Sequence, residues 1–268
     1  MELQQIGASH PRIKQVVDLQ KNASPNPRRR FVAEGLWAHN ALLDTGVEID
    51  LFLWCPESIY SDEARMRSES IAARAHAAYR ISPRTLERVS ERDKPDGLVS
   101  VAELPSWTPE TVRLRDDALI LVADAVEIPG NLGTLIRTMD ACRADCLVLT
   151  NRRTRLTHPK VFRASHGMVL SMPSIELEQP DEAVDWLLSR DVTVYLADTD
   201  DAKPYRHVSY AGRTAIVVGN ERYGISKPWY AHGFDRVCVP MLGAADSLNV
   251  AISASVLMYE ARARKDGW

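Results

Sequence analysis

The sequence predicts an α/β protein in two parts: a small N-terminal α/β domain and a larger C-terminal domain built on a parallel sheet. The C-terminal part contains five short, nearly continuous apolar runs that are separated by helical segments. Strands of a parallel sheet have this composition because helices cover both of its faces. The N-terminal part alternates shorter apolar runs with helical stretches, and 268 residues are enough for two modest domains.

The N-terminal elements follow from the spacing of apolar residues and from the breakers between them. Ile13, Val16 and Val17 lie near helical spacing, and Gly46 closes a second helix. The predicted order is helix 10–19, strand 31–35, helix 36–46, strand 49–54, helix 61–80, a strand and a helix within 79–91, and strand 96–104.

A proline-containing stretch without periodicity separates the two parts. We predict domains at 1–104 and 116–268, joined by a linker at 105–115. Beyond the linker, the predicted strands are 118–126, 145–151, 192–198, 214–220 and 236–242.

Three of these strands are followed by loops that combine glycine with Asn, Glu or Ser. Asn131 is expected to cap the helix that follows the first loop, and Gly219 and Gly224 are expected to bracket a tight second loop. The third loop, residues 243–249, carries more polar side chains than helix capping needs. Because ligands bind beyond the carboxyl ends of parallel strands, the three loops predict a shared cleft.

Several function classes lack their signatures. No GxGxxG follows a strand, and neither GxxxxGK[ST] nor GxSxG occurs, which argues against a dinucleotide site, a P-loop NTPase and an α/β-hydrolase. The four cysteines form no CxxC pair, so free thiols and no metal site are expected. With no signal-like or membrane-spanning apolar segment, the sequence predicts a soluble cytoplasmic protein.

The segments NLGTLIRT (131–138), VVGNERYGIS (217–226) and VPMLGAADSLNVAISASVLMYEA (239–261) closely resemble the three signature motifs of the SpoU (TrmH-like) family of SPOUT RNA methyltransferases. They occur in the order and spacing of that family. The N-terminal part, with RRRFVAEGLWAHNALL, resembles the substrate-binding domain of the two-domain ribosomal RNA type, which is similar to RNA-binding ribosomal proteins.

The resemblance implies a deep trefoil knot in the C-terminal domain, S-adenosylmethionine (AdoMet) bound in the knot loops, and a homodimer formed through the knot region. It also implies transfer of a methyl group to a ribose 2'-hydroxyl of RNA. No metal is implied.

Carried over residue by residue, the resemblance also implies a cofactor site. Backbone groups of Gly219, Val239 and Leu248 would hold AdoMet, and Ala197 and Asp198 would line the pocket. Core packing is the alternative for Val239 and Leu248. The further cofactor-binding candidates are Ser247 and Asn249.

Arg137 is the first candidate for catalysis that the resemblance implies. A guanidinium keeps its proton to pH about 12 or beyond, so it would stabilise a developing alkoxide or hold a phosphate rather than act as a base. A surface ion pair is the alternative. Asn131, Glu221, Ser247 and Asn249 would shape the target ribose and Arg137, and capping alone is the alternative for Ser247.

Basic side chains are the candidates for RNA contacts. Arg28, Arg29 and Arg30 would neutralise phosphates, with a solvated turn as the alternative. Arg163 and His166 lie near the position of an RNA-facing loop in relatives, although a structural histidine is equally consistent with the sequence.

Three classes of function stay open. The leading one is an enzyme that methylates a ribose 2'-oxygen, with ribosomal RNA of the large subunit favoured over tRNA, either as a housekeeping modification or as antibiotic self-resistance. The second is a non-catalytic RNA-binding or ribosome-assembly protein. The third is a methyltransferase for a base atom or a protein.

Overall fold

The structure is a computed structural model that describes residues 2–267 and divides them into two compact units. The first unit runs to Pro105 and includes Thr157–Phe162. The second comprises Ser106–Leu156 and the chain from Arg163 onward. The α/β class with a parallel-strand sheet is confirmed.

The first unit is a four-stranded sheet with helices packed on it, in the strand order β1-β4-β2-β3. Strand β4 is antiparallel to β1 and β2, and β2 is parallel to β3. Its elements are α1 Pro11–Lys21, β1 Arg30–Glu34, α2 Leu36–Thr45, β2 Ile49–Trp54, a 3-10 turn Pro56–Ser58, α3 Asp62–Arg74, β3 Ala75–Arg80, α4 Pro83–Val89 and β4 Leu98–Glu103.

The prediction of one helix over residues 61–80 is wrong. Helix α3 begins after Ser61, whose hydroxyl accepts a hydrogen bond from the backbone N–H of Ala64, and it ends at Arg74. Residues 75–80 form β3 instead and pair with β2 from Ile49 to Trp54. The alanines of this segment favour a helix, but pairing with a neighbouring strand overrides that weak preference.

The second unit is built on a seven-stranded parallel sheet in the order β7-β6-β5-β10-β8-β11-β9. All five predicted strands are present, at β5 Leu119–Asp124, β6 Cys146–Thr150, β8 Thr193–Ala197, β10 Thr214–Val218 and β11 Asp235–Cys238. Strands β7 Ser174–Glu176 and β9 Lys203–Pro204 were not predicted, because they are too short for a periodic pattern.

Helices cover this sheet and bring distant parts of the chain together. They are α5 Pro129–Ala141, α7 Pro180–Leu188, α8 Lys227–Tyr230 and α9 Val250–Asp266. The remaining helix, α6 Pro159–Ala164, begins in the first unit, which includes Thr157–Phe162, and ends in the second. Helices α5 and α9 pack against each other, and the Thr138 and Ser255 hydroxyls are 2.9 Å apart. Within the stretch predicted as a linker, Trp107, Val112 and Leu114 pack on the core of the second unit.

Cys55, Cys142, Cys146 and Cys238 are free thiols, as expected, and Cys238 alone of these four is only partly buried. Within residues 2–267, no helix combines the length and the apolar character needed to cross a membrane. Across the same residues, no group of three or more His, Cys, Asp or Glu side chains could hold a metal ion.

Candidate functional site

The carboxyl ends of β8, β10 and β11 open into a cavity of about 400 Å³. These strands are neighbours in the sheet, so the loops that follow them meet at one edge. The predicted cleft was to be formed by the loops after β5, β10 and β11. The loops after β10 and β11 line the cavity, the loop after β5 contributes Ile128, and the end of β8 was not part of the prediction. The start of α9 closes the cavity from a fourth direction. Of the residues predicted to bind a cofactor, all seven line it: Ala197, Asp198, Gly219, Val239, Ser247, Leu248 and Asn249.

The loop after β10 is a tight turn that leaves no room for a side chain at Gly219. A Cβ on Gly219 would lie 2.1 Å from the carbonyl carbon of Gly224. Asn220 and Gly224 exchange two backbone hydrogen bonds of 2.9 Å, and the Asn220 side chain donates to the carbonyl of Ala125 at 2.9 Å. The loop is therefore fixed both to itself and to the end of β5.

A buried carboxylate at the end of β5 holds the next residues of the same loop. Asp124 is fully buried and its Oδ2 accepts a hydrogen bond of 2.7 Å from the backbone N–H of Ser226. Its Oδ1 accepts from the Thr150 hydroxyl at 2.9 Å and from the Asn151 amide at 2.7 Å. Asp124 thus joins the ends of β5 and β6 to the loop that precedes α8.

Glu221 links the loop after β10 to the first turn of α5. Its carboxylate accepts hydrogen bonds from the backbone N–H groups of Glu127 (3.1 Å) and Ile128 (3.2 Å) and from the Asn131 amide (2.8 Å). Burial raises the pKa of Glu221, but these hydrogen bonds outweigh burial and hold the pKa below its ordinary value. Glu221 is therefore an ionised hydrogen-bond acceptor at neutral pH.

Asn131 is not the N-cap that the sequence suggested. The α5 cap is Ile128, and Asn131 lies inside the first turn. The Asn131 side chain instead donates its amide to Glu221 and faces the third loop. Its Oδ1 accepts a hydrogen bond of 3.2 Å from the Asn249 amide.

Asn249 caps α9, and its Oδ1 accepts from the backbone N–H groups of Ala251 at 2.9 Å and Ile252 at 3.4 Å. Ser247 is exposed, lines the cavity and is not the capping residue. Leu248 keeps 39% of its surface exposed, so it is not an ordinary core residue. At the start of α9, Asn249 therefore both caps the helix and lines the cavity, whereas Ser247 lines the cavity without capping.

Asp198 at the end of β8 is held from two sides. Its Oδ1 accepts hydrogen bonds from the backbone N–H groups of Thr199 (2.7 Å) and Asp200 (3.2 Å), and its Oδ2 accepts one of 2.6 Å from the Tyr230 hydroxyl. Burial acts to raise the pKa of Asp198, but these hydrogen bonds and the nearby Arg236 leave the pKa below its ordinary value. A fixed negative charge therefore faces the cavity.

Three site residues were not predicted: Tyr230, which lies 32 residues from Asp198 in the sequence, Asp124 and Arg222. Arg222 could have been found as the basic residue beside Glu221. The contacts of Tyr230 and Asp124 depend on chain segments that only the fold brings together.

Arg137 is exposed and does not line the cavity. It lies six residues beyond Asn131 on α5, about 9 Å further along the axis and roughly a third of a turn around it. Within residues 2–267, its side chain makes no hydrogen bond or ion pair. The cation is thus available to a group outside the cavity.

The residues predicted to contact RNA lie in both units. In the first, Arg28 pairs with Glu103 at 2.5 Å, and Arg30 pairs with Asp50 and Glu103 at 3.4 Å each. Arg29 precedes β1 in a left-handed conformation, with φ 51°. In the second, Arg163 and His166 are exposed at and just after the end of α6.

Two family profiles match the chain and together cover most of it. The SpoU rRNA Methylase family matches residues 118–259, which include the cavity and all three loops. The MRM3-like substrate binding domain matches residues 10–100.

Curated proteins and a solved structure give the same result. The chain is 30% identical over 232 residues to a 23S rRNA (uridine(2479)-2'-O)-methyltransferase of Streptomyces viridochromogenes, covering 84% of this chain and 76% of that protein. It is 31% identical over 206 residues to the 23S rRNA (guanosine(2553)-2'-O)-methyltransferase RlmP of Bacillus subtilis (strain 168), covering 77% of this chain and 80% of that protein.

The crystal structure of the SpoU methyltransferase AviRb from Streptomyces viridochromogenes in complex with AdoMet superposes with a TM-score of 0.85 at 25% identity, covering 96% of this chain and 98% of that one. The family profile spans the whole described site, and the similarity to curated members extends through both units. The chain belongs to the SpoU rRNA Methylase family.

Proposed function

We propose that this protein transfers a methyl group from AdoMet to a ribose 2'-hydroxyl of 23S ribosomal RNA. One observation carries the proposal: Asn131, Glu221 and Asn249, from three separate elements, form one hydrogen-bonded polar cluster beside the cavity. Helix capping alone would not need this cluster. The two curated 23S rRNA relatives support the choice of acceptor.

The cavity fits AdoMet in size and chemistry. Its volume of about 400 Å³ lies within the roughly 300–1,000 Å³ typical of cofactor pockets. Gly219, Val239 and Leu248 would hold the cofactor through backbone groups, and the ionised Asp198 offers an acceptor for its hydroxyl or ammonium groups. When bound, AdoMet supplies a methyl group made electrophilic by its sulfonium.

The polar cluster orients one amide toward a substrate. Asn131 uses one amide hydrogen on Glu221 and receives one from Asn249, so its orientation is fixed. Its second amide hydrogen remains for a ribose oxygen. Glu221, with its lowered pKa, is a weak base, so we assign it the positioning of Asn131 and of the α5 N-terminus. Ser247 lies at the same rim and would contact the ribose.

RNA recognition is assigned to the N-terminal domain, residues 1–104, with residues 105–115 as the boundary to the methyltransferase domain 116–268. The match of residues 10–100 to a substrate binding domain supports this division. The ion pairs of Arg28 and Arg30 position these side chains beside the start of β1, where phosphates could compete for them. Arg163 and His166 would add contacts from the second domain.

A homodimer and a knotted C-terminus belong to the same proposal. Ile252 and Tyr259 are 52% and 43% exposed on α9, and Val256 lies between them at helical spacing. Such an apolar face on a knot helix supports pairing with a second copy. Arg137, exposed on the adjacent α5, would then act on RNA or the ribose in the partner's cavity.

Strand β11 lies near one edge of the sheet, and the chain then returns from it to α9, which packs on α5. This return path supports the expected threading of the knot.

The experiment is a transfer assay with labelled AdoMet on unmodified 23S rRNA, 16S rRNA and bulk tRNA, each tested separately. Mass spectrometry of ribonuclease fragments maps the product. We expect one 2'-O-methylated ribose in 23S rRNA. Label in tRNA would overturn the proposal that 23S rRNA is the substrate. A methyl group on a base would overturn the proposal that the ribose 2'-hydroxyl is the acceptor. AdoMet binding without transfer to any RNA would favour the non-catalytic alternative.

A further inference from the structure

The tight turn after β10 presents an aromatic ring to solvent. Tyr223 is 75% exposed, and within residues 2–267 its hydroxyl makes no hydrogen bond. Glu221 and Arg222, which precede it in the turn, and Gly224, which follows it, line the cavity, whereas Tyr223 does not. The ring therefore lies outside the cavity but beside its rim.

The turn that carries Tyr223 is rigid. The side-chain Oδ1 of Asn220 accepts hydrogen bonds from the backbone N–H groups of Arg222 (2.9 Å) and Tyr223 (3.1 Å). With the Asn220–Gly224 backbone pair and the bond from Asn220 to Ala125, these contacts fix the backbone on both sides of the ring. A ligand that stacks on Tyr223 thus orders little additional backbone, which favours binding.

A cation lies against the same ring. The guanidinium carbon of Arg222 is 5.3 Å from the centre of the Tyr223 ring. Aromatic rings and guanidinium planes are the side chains on which unpaired RNA bases stack. The positive charge also suits a phosphate next to such a base.

We propose that Tyr223, with Arg222, is a stacking platform for an unpaired nucleobase that flanks the methylated nucleotide. This inference rests on the proposed RNA methyl transfer, because the platform lies at the rim of that site. A protein partner fits less well, since the turn offers one aromatic ring between charged and small residues rather than a continuous apolar patch.

The test compares Tyr223→Ala, Tyr223→Phe and Tyr223→Trp in the full-length protein. The matched control is Tyr205→Ala. Tyr205 also pairs with an arginine, since the guanidinium carbon of Arg206 is 5.4 Å from its ring centre, but neither residue lines the cavity. S-adenosylhomocysteine binding by calorimetry checks that each variant keeps its cofactor site. The RNA probe is a short single-stranded oligouridine with one 2-aminopurine, whose fluorescence falls when it stacks.

We expect Tyr223→Ala to weaken probe binding and raise the KM for 23S rRNA by about 5- to 150-fold, the range that losing one stacked base produces. If the ring acts by stacking, Tyr223→Phe and Tyr223→Trp should keep both the quenching of 2-aminopurine fluorescence and the KM for 23S rRNA near the wild-type values. S-adenosylhomocysteine affinity should not change, and Tyr205→Ala should behave like the wild type.

Unchanged quenching and KM in Tyr223→Ala would overturn the platform. A Phe variant as impaired as the Ala variant would also overturn stacking, because it would assign the effect to the hydroxyl. Failure of the wild type to methylate any RNA would refute the proposed function separately, since the fluorescence comparison still reports on the ring.

Discussion

Replacing Gly219 with alanine tests whether the turn after β10 holds the cofactor. The added Cβ would lie 2.1, 2.2 and 2.3 Å from the carbonyl carbon of Gly224, the nitrogen of Ile225 and the carbonyl oxygen of Gly224. These are backbone atoms, so the loop must move by roughly 1 Å or more to reach ordinary contact distances of about 3.5–4 Å.

Such a shift breaks the two backbone hydrogen bonds between Asn220 and Gly224. Each contributes about 1 kcal/mol net, so the binding-competent turn loses about 2 kcal/mol. Apparent affinity falls with the population of the competent turn, which predicts AdoMet binding weaker by roughly 30-fold.

The assay is calorimetry with S-adenosylhomocysteine, together with thermal unfolding to confirm that the variant is folded. Gly130→Ala is the matched control, because a Cβ there meets nothing within 4 Å and Gly130 lies in the first turn of α5. A folded Gly219→Ala protein with wild-type affinity would contradict this prediction, since the loop would then not support the cofactor.

Three further predictions test the site and the fold. Arg137→Ala should keep S-adenosylhomocysteine affinity and lose methyl transfer. If Arg137 acts across a dimer, mixing this variant with Gly219→Ala protomers should restore part of the activity. Inactive mixed dimers would contradict that role. Asp124→Asn should lower the free energy of unfolding, measured with denaturant, by about 1–3 kcal/mol. The reason is that an NH₂ group would replace one carboxylate oxygen that now accepts a hydrogen bond from the Thr150 hydroxyl or the backbone N–H of Ser226. Burial lowers the pKa of His39 to about 4, below the value of about 6.5 for an unfolded histidine. The contribution of His39 to the free energy of unfolding is therefore complete above pH about 6.5, and about 3 kcal/mol of that free energy is lost as the pH falls towards 4. His39→Gln should flatten this dependence of unfolding free energy on pH, and an unchanged dependence would exclude His39 as its source.

Strand β3 shows where local sequence preference misled the interpretation. Its alanines favour a helix in isolation, yet β2 offers a parallel strand partner along the whole segment. Backbone hydrogen bonds to that partner outweigh a propensity difference of a few tenths of a kcal/mol per residue. The two missed strands of the larger sheet have three and two residues, too few to display a period.

Four features could be predicted from the amino-acid sequence: the α/β class, the five main strands of the parallel sheet, the three loops at one sheet edge and the family resemblance that the comparisons confirm. These features are local, because apolar runs, glycine positions and short motifs are properties of consecutive residues. Parallel strands then bring their loops together by a general rule of the fold.

Which side chains contact one another could be seen only in the folded protein. Glu221 binds Asn131 across 90 residues, Asp124 binds the backbone of Ser226 across 102, and Arg137 lies outside the cavity that its motif suggested. Contacts between residues so distant in sequence depend on how the helices pack on the sheet. No pattern of neighbouring residues encodes these pairings individually, because packing is decided by the whole core at once.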